Sequence, residues 1–365
     1  MQKALINLNI SMSDLTPLSA SKIKKAQSCS WSYWATYHLK IPDKSNDGAS
    51  RGWICHLIFE LLGAEKHKKI YDEIILKDSI YLCDSIKRLV GYHAKKLNVN
   101  DAENLKMIDD MTMAGLHFDF FGQARGEPSE AISEQAFDIS VDESDKLYRL
   151  RGFIDKLFFY KKDDLVVIRD FKSSKSVFKG KEATDNLQDL IYTLAVRKLF
   201  PSFTKRQVEF LFLKFDLHAS GNLRMQEISE SELVGLERYL TGVQAFLDQF
   251  DEFDAVSNFA GSQKYPSDGS FGGPLMCGKD GYKISKGKPL LNDEGNPIPA
   301  YICAYRKPID FLAVKNKDGK IIKSYFLDQE KDIKLNQEAG EFVEKMSYSG
   351  CPYWQKPKLL VDDFL

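Results

Sequence analysis

The stretch that decides the fold is residues 147–172, with the sequence LYRLRGFIDKLFFYKKDDLVVIRDFK. Two of its runs, 147–160 and 165–171, are rich in β-branched and aromatic residues, and the polar residues 161–164 separate them. Runs of this composition on either side of a short polar turn are typical of neighbouring strands. We therefore expect the two runs to form strands that pair with each other.

Acidic residues occupy both strands near the point where they are expected to meet. Asp155 lies in the first strand, and Asp170 lies two residues before Lys172 in the second. Side chains two residues apart share one face of a strand, and pairing could bring Asp155 close to Asp170. Converging carboxylates are costly to bury unless a cation binds them, and hard oxygen ligands suit Mg²⁺ or Mn²⁺. The alternative is a pair of edge-strand acids with a surface lysine, because Asp-x-Lys triplets are common by chance.

The sequence around this stretch predicts a mixed sheet. Residues 18–125 have helical spacing, and residues 131–139 alternate as a further strand. An amphipathic helix is predicted over residues 183–200, which Pro201 ends, and another strand over residues 208–216. Three strands, a helix and a strand in this order predict a mixed sheet with a crossover helix.

The C-terminal third begins with a strong helix and continues with a segment of weaker pattern. Residues 229–250 carry one apolar stripe, and Ser229 and Glu232 can form a capping box at its start. Residues 255–350 are rich in Gly, Pro and Lys. Two short strands are predicted in this segment, over residues 301–313 and 320–327.

Composition restricts the class of protein. The chain has 365 residues, 43% hydrophobic and 28% charged, values typical of a folded protein of one or two domains. With 51 basic and 52 acidic residues, the formal charge is −1, which excludes a globally basic DNA-coating protein but allows a local basic groove. No apolar run approaches the roughly 20 residues that span a bilayer, and the N-terminus lacks a signal-peptide pattern. We expect no membrane association and a cytoplasmic location, in a bacterium or as a phage protein in its host cell.

Four further residues stand in a suggestive order around Asp155 and Asp170. Glu134 precedes them on an earlier strand, and His56 follows Gly52 in a helical Gly-x-x-x-His pattern. Gln188 and Tyr192 are one helical turn apart on the helix after Lys172, so they share a face. A lone histidine is usually a surface residue, and such a Gln-Tyr pair is usually only a helix face. Their conjunction at these separations is much harder to explain by chance.

This arrangement resembles the RecB-like branch of the PD-(D/E)XK nucleases, which includes the RecB and AddB nuclease domains and the CRISPR adaptation nuclease. The resemblance covers roughly residues 18–220, with one cysteine near the C-terminus. The family elements are a helical Gly-x-x-x-His, a Gly-x-x-Asp strand, an Asp/Glu-x-Lys strand and a Gln-x-x-x-Tyr helix. They stand here as Gly52/His56, Gly152/Asp155, Asp170/Lys172 and Gln188/Tyr192. No catalytic element is missing, which implies an active site that is not degenerate.

The resemblance implies an α/β fold of restriction-endonuclease-like type, a mixed β-sheet core flanked by helices. An N-terminal helical region precedes the core, and a C-terminal insertion or tail follows it. We expect a helical region over residues 1–128 and the nuclease core over residues 129–220. Residues 221–365 then form a C-terminal helix and a cysteine-metal subdomain.

The resemblance also implies roles for the site residues. Asp155 and Asp170 would hold the catalytic Mg²⁺ or Mn²⁺, with His56 holding or helping to hold a second ion. Glu134 stands where the family often has a glutamate. It would bind the metal ion through a water molecule, or support the metal ligands without contacting the ion itself. The other residues of the family pattern would act on the water, the phosphate or the DNA. Lys172 would position the water or neutralise charge on the phosphate, and Gln188 and Tyr192 would contact the DNA backbone or the nucleophile.

Part of this branch carries an iron-sulfur cluster bound by one N-terminal and three C-terminal cysteines. Four cysteines are candidates here, although no Cys-x-x-Cys is present: Cys29, Cys277, Cys303 and Cys351. They could bind a 4Fe-4S cluster or a structural zinc ion if residues 255–350 fold back onto the first helix. Four unrelated free thiols are the alternative. Cys55 and Cys83 lie in apolar helical patterns and are expected to be buried.

Candidate DNA contacts follow from charge and aromatic character. Lys175, Lys179 and Lys181 come directly after the strand of Lys172, where a phosphate backbone entering the site would pass. Trp31 and Trp34 could stack on unpaired bases. Core packing is the alternative for at least two of the four aromatic residues between positions 31 and 37.

The preferred hypothesis is a PD-(D/E)XK deoxyribonuclease, a metal-dependent DNA exonuclease that hydrolyses single-stranded DNA or duplex ends. It would serve recombination, repair or phage-type DNA processing, with a recombination or replication protein as a candidate partner. A structure-specific endonuclease with the same site and a non-catalytic DNA-binding or assembly subunit are the alternatives. No Gly-x-x-x-x-Gly-Lys-Ser/Thr loop is present, which excludes a helicase fusion.

Overall fold

The computed structural model describes most of the chain. No helix in the described part is both long enough and apolar enough to cross a membrane. The described residues are 15–43, 46–257, 276–278, 280–292 and 295–355.

Helices dominate the chain before residue 118 and recur after residue 180. In chain order they are α1 (Ala20–Ser28), α2 (Ser30–Tyr37), α3 (Asp47–Gly63), α4 (Lys68–Lys77), α5 (Asp84–Lys96), α6 (Ala102–His117), α7 (Lys181–Thr184), α8 (Leu187–Leu199), α9 (Glu230–Asp248), α10 (Glu252–Ser257) and α11 (Pro352–Gln355).

The strands of the described residues form three sheets, with the orders β1-β2-β3-β4-β5, β10-β8-β9 and β6-β7. They are β1 (Glu130–Glu143), β2 (Lys146–Tyr160), β3 (Leu165–Lys172), β4 (Lys205–Phe212), β5 (Asn222–Arg224), β6 (Ile284–Ser285), β7 (Lys288–Pro289), β8 (Ile309–Lys315), β9 (Ile321–Phe326) and β10 (Phe342–Tyr348).

The chain divides into two compact units, each made of two segments. Residues 1–20 and 45–248 form the first unit, and residues 21–44 and 249–365 form the second. The five-stranded sheet belongs to the first unit, and the two smaller sheets belong to the second.

The five-stranded sheet is mixed, as its sequence pattern predicts. β2 runs antiparallel to β1 and β3, β4 runs parallel to β3, and β5 runs antiparallel to β4. The parallel pair needs a crossover, and α8 lies between its two strands in the chain. The Asn186 side chain accepts a hydrogen bond of 2.9 Å from the backbone N–H of Gln188, which caps the first turn of α8. The prediction of a mixed sheet flanked by helices is confirmed.

Several predicted boundaries differ from the structure. The helical pattern predicted from residue 18 onward is broken at Cys29, whose sulfur accepts a hydrogen bond from Ser32 N at 3.5 Å and caps α2. The strand predicted over residues 208–216 lies at residues 205–212, and the chain turns directly afterwards through a bond from Phe215 N to Phe212 O. These differences arise from local hydrogen bonds that hydrophobic spacing does not encode.

Two glycines let α3 lie unusually close to the sheet. A Cβ atom at Gly52 would come within 2.4 Å of the Ser173 hydroxyl oxygen, just beyond β3. At the other end of the helix, a Cβ atom at Gly63 would lie 2.2 Å from the Ser133 hydroxyl oxygen of β1. Only a residue without a side chain permits such contacts. Because His56 lies between these two points, the helix carries its imidazole to the sheet.

The core of the first unit lies among α3, α4, α5 and α6 and extends to the end of β3. Ile58, Ile108 and Phe171 are buried there, and Cys55 and Cys83 belong to the same cluster. The prediction that these two thiols are buried is confirmed.

At the start of α9, Ser229 N donates to Glu232 Oε2 and Glu232 N donates to Ser229 Oγ, which is the predicted capping box.

The second unit is held by hydrogen bonds between segments far apart in sequence. The Trp31 indole donates to the Tyr348 hydroxyl at 2.7 Å, and that hydroxyl donates to the Tyr305 carbonyl at 2.8 Å. Ser30 donates to the Ala255 carbonyl at 2.9 Å, which ties α2 to α10. The strand predicted over residues 320–327 corresponds to β9, whereas the one predicted over residues 301–313 overlaps β8 only from residue 309. The strands β6, β7 and β10 were not predicted.

Candidate active site

The candidate site lies where β2 and β3 part. The two strands pair from Tyr160↔Leu165 to Lys156↔Arg169, and the next opposed positions are Asp155 and Asp170. The ladder ends there, with two carboxyl side chains at the opposed positions. The expectation that strand pairing brings Asp155 and Asp170 together agrees with this register.

The Asp155 side chain bonds to the backbone of β3 just beyond the point where the pairing of β2 and β3 ends. Its Oδ2 atom accepts a hydrogen bond of 2.7 Å from the backbone N–H of Phe171. Its other oxygen, Oδ1, lies 3.3 Å from Nδ1 of His56. The carboxylate is therefore oriented from both sides, with little freedom to rotate.

His56 reaches the same point from α3. Its Nε2 atom lies 3.1 Å from the Phe171 carbonyl oxygen, while Nδ1 faces Asp155. Burial acts to lower the pKa of His56, but the Asp155 carboxylate, with Asp170 and Glu134, outweighs it and raises the pKa to about 9. Both ring nitrogens thus face oxygen atoms in a strongly acidic environment.

Glu134 lies on β1 opposite Asp155, between the pairs Ser133↔Lys156 and Gln135↔Ile154. Its φ of 52° is in the left-handed region, which non-glycine residues adopt rarely and at a cost of about 1–3 kcal/mol. Burial, and then the neighbouring Asp155 carboxylate, raises the pKa of Glu134 to about 7. A strained residue and a carboxyl group resisting ionisation are both typical of a functional position.

Three of these side chains could hold a metal ion. One ligand atom from each of His56, Glu134 and Asp155 lies within 4.8 Å of the other two. In octahedral Mg²⁺ or Mn²⁺ coordination, adjacent ligands are about 3 Å apart and opposite ones about 4 Å. One imidazole and two carboxylates fit such a cation in both chemistry and spacing.

Asp170 lies outside this trio and has partners of its own. Its Oδ1 atom accepts hydrogen bonds from Gln188 Nε2 at 2.8 Å and from the Tyr192 hydroxyl at 3.1 Å. Its Oδ2 atom forms an ion pair of 2.6 Å with Lys172 Nζ. Burial raises the pKa of Asp170, and the Lys172 ammonium group acts in the opposite direction.

Gln188 connects the members of this second group. Its side-chain oxygen accepts a hydrogen bond of 2.8 Å from Lys172, and its nitrogen lies 2.7 Å from the Tyr192 hydroxyl as well as contacting Asp170. The helix-face prediction anticipated that Gln188 and Tyr192 would project together. The hydrogen bonds from Gln188 and Tyr192 to Asp170 were not predicted from the sequence. The left-handed backbone at Glu134 was not predicted either.

The residues proposed for DNA binding belong to both units. Lys175, Lys179 and Lys181 are exposed after β3, and Lys181 forms a surface ion pair with Asp185. Trp31 is buried and bonded to Tyr348, as the core-packing alternative describes.

The second unit contains all four candidate cluster cysteines. Cys29, Cys277 and Cys303 line a cavity of about 360 Å³ together with Lys24 and Lys25. Burial raises the pKa of the Cys351 thiol to about 11. The nearby thiols of Cys29 and Cys303 act in the same direction on this pKa.

Trp34, also in the second unit, stacks on His38 with the ring centroids 4.3 Å apart. The ring is half-buried, so part of its surface is already covered.

Comparison with known proteins identifies the family. A crystal structure from Eubacterium rectale with the provisional name exonuclease aligns over 73% of this chain and 97% of its own, at 10% sequence identity and a TM-score of 0.39. No curated protein sequence matches. The model of the PD-(D/E)XK nuclease superfamily matches residues 17–260, which include every residue of the site described above. The chain belongs to the PD-(D/E)XK nuclease superfamily.

Proposed function

We propose that this nuclease is a metal-dependent DNA exonuclease of the RecB-like branch, acting on single strands or duplex ends. The observation that carries the proposal is the convergence of His56, Glu134 and Asp155 beside the Asp170–Lys172 ion pair. A cation held by the trio would lie next to an ammonium group, and both would face a polyanionic substrate. Recombination, repair or phage-type DNA processing would supply such substrates.

A divalent cation bound here would supply positive charge to the scissile phosphate and lower the pKa of a water molecule. Asp155 would hold the cation, oriented by its bond to Phe171 N. His56 and Glu134 would complete the protein ligands on the helix and β1 sides. Asp170 stays a candidate ligand, because its carboxylate acts electrostatically on His56.

Lys172 would act on the phosphate or the attacking water. Its ammonium group is held by Asp170 and Gln188, so it is fixed before substrate arrives. A preorganised charge costs no reorganisation during the reaction and therefore favours the transition state. Gln188 and Tyr192 would position Lys172 and Asp170, in addition to the contacts with DNA that the family resemblance implies.

We also propose that the four cysteines bind a 4Fe-4S cluster. A single zinc ion would bring their sulfurs to about 3.8 Å from one another, given Zn–S bonds of about 2.3 Å. Among the described residues, no group of three ligands that includes a cysteine has its atoms within 4.8 Å. The wider spacing suits a larger cluster better than zinc, and the lysines lining the cavity would offset the negative charge of either thiolate-bound group. Brown anaerobic protein with absorption near 400 nm is expected, whereas colourless, iron-free protein would leave four free thiols.

The substrate is tested with labelled DNA. With Mg²⁺ or Mn²⁺, linear single strands labelled at one terminus should release short products from an end, while circular single strands should stay intact. Cleavage of circular DNA would identify an endonuclease. Tight binding without cleavage, in Mg²⁺ and in Mn²⁺, would identify the non-catalytic subunit. Comparison of labels at the two termini would also give the polarity.

A further inference from the structure

A cavity of about 410 Å³ lies between the first half of α3 and the last turn of α5. None of the residues assigned to the catalytic constellation lines it. Its lining residues are Ala49, Ser50, Trp53, His93, Lys96 and Leu97.

Two of the residues that line this cavity, Trp53 and His93, carry aromatic rings. Trp53 is 49% exposed, although tryptophan is usually largely buried, and its ring centroid lies 5.0 Å from that of His93. The ring of Tyr92, which does not line the cavity, lies 4.9 Å from that of His93 and is 65% exposed. An exposed indole beside a second planar ring offers a stacking surface, and every nucleobase has a matching π-face.

The charge of the cavity suits a phosphate. Lys96 lines it, and Lys95 and His93 stand in the same last turn of α5. None of the described lining residues is acidic. A base that enters the cavity would therefore bring its phosphate toward one or two ammonium groups without meeting a carboxylate.

The position of the cavity connects it to the candidate active site. Trp53 precedes His56 by three residues on α3, so the two side chains are neighbours on the helix surface and about 4.5 Å apart along its axis. His56 in turn contacts Asp155. The indole and the histidine of the trio are therefore carried by neighbouring positions of one helix.

We infer that this cavity binds one unpaired nucleobase of the substrate strand, stacked on Trp53, with Lys96 at its phosphate. The inference rests on the proposed nuclease function and gives it a substrate class, because a paired base would first have to break its pairing and stacking, at a cost of a few kcal/mol, to enter the cavity. The nuclease would then favour substrates with an unpaired nucleotide near the cleaved bond.

The test measures binding without cleavage. A fluorescein-labelled oligothymidine of about 12 nucleotides is titrated in EDTA, and binding is followed by anisotropy. Trp53→Ala is expected to weaken binding roughly tenfold, with Trp53→Phe intermediate, as is usual for loss of one base-stacking ring. Phe253→Ala is the matched control, because Phe253 is an aromatic residue of the other unit with 82% exposure, and it should leave binding unchanged.

Abasic sites in the oligonucleotide then locate the bound base. One abasic position near the cleaved bond should weaken wild-type binding, and the same position should have little effect on Trp53→Ala. Lys96→Ala, at an exposed position, should weaken binding and reduce its salt dependence even if Trp53→Ala folds poorly. Equal wild-type and Trp53→Ala affinities, or an abasic penalty that persists in the variant, would overturn the inference while leaving the nuclease proposal intact. Wild-type protein that neither binds nor cleaves DNA would overturn both.

Discussion

The Lys172 ammonium nitrogen lies 2.6 Å from Oδ2 of Asp170, and the two residues share one face of β3. Asp170 is buried, so the ion pair satisfies a carboxylate that water does not reach. The same contact fixes a positive charge at the mouth of the candidate site. One ion pair therefore serves both the stability of β3 and the proposed chemistry.

Lys172→Met separates these two contributions. We expect cleavage to fall roughly 10²–10³-fold, the usual cost of removing a preorganised charge from a transition state. The melting temperature should fall too, because Asp170 would stay buried without its cation. The double variant Asp170→Asn/Lys172→Met should recover stability but not cleavage. A Lys172→Met enzyme with wild-type cleavage rates in Mg²⁺ would contradict the proposed role.

Gln188→Ala tests whether the Gln188 side chain positions Lys172 and Asp170. The change removes hydrogen bonds to Lys172, Asp170 and Tyr192, and cleavage should fall roughly 10–100-fold with a much smaller change in DNA affinity. Tyr71→Phe is the control, since it removes a partly buried hydroxyl bond to Leu116 O away from the site and should leave cleavage unchanged. Equal losses in both variants would point to a general loss of stability.

Gly52→Ala tests the close approach of α3 to the sheet. The new Cβ atom would lie 2.4 Å from Ser173 Oγ and 3.0 Å from Ser173 Cβ, so Ser173 must rotate and the helix must move slightly outward. Because His56 is on the next turn, we expect weaker metal binding and slower cleavage. Gly91→Ala is the matched control: nothing lies within 4 Å of its Cβ position in α5, and it should stabilise the protein by about 0.5–1 kcal/mol. Similar cleavage by both variants would show that the close approach is not needed.

Asp189 should make stability depend on pH. Burial raises the pKa of this carboxyl group to about 7, so the folded state favours the neutral form, while the unfolded chain ionises near pH 4. The fold therefore loses stability as pH rises from about 4 to 7, and the loss stays constant above 7. Asp189→Asn should raise the melting temperature by several degrees at pH 8 and change it little at pH 4. The exposed Asp185→Asn should show no such difference, and a pH-independent effect of Asp189→Asn would contradict the assignment.

The sequence predicted the parts of this site that depend on strand and helix periodicity. The opposed positions of Asp155 and Asp170 follow from the turn between β2 and β3, and the shared face of Gln188 and Tyr192 follows from helical spacing. The bond from Phe171 N to Asp155, by contrast, exists because the strands part at one pair, which no local pattern encodes. The left-handed φ of Glu134 and the close approach at Gly52 likewise depend on tertiary packing. In the second unit, contacts such as Trp31 to Tyr348 join segments about 300 residues apart, beyond the reach of any periodicity.

The proposed nuclease requires that His56, Glu134 and Asp155 hold a divalent cation on which hydrolysis depends. The most direct measurement is the rate of cleavage of end-labelled single-stranded DNA against Mn²⁺ concentration, with Mn²⁺ binding followed in parallel, for the wild type and Asp155→Asn. For the wild type we expect saturable Mn²⁺ dependence and no cleavage in EDTA. For the folded variant we expect weakened Mn²⁺ binding and loss of cleavage. Full cleavage in EDTA, or an Asp155→Asn enzyme with wild-type Mn²⁺ dependence, would contradict it.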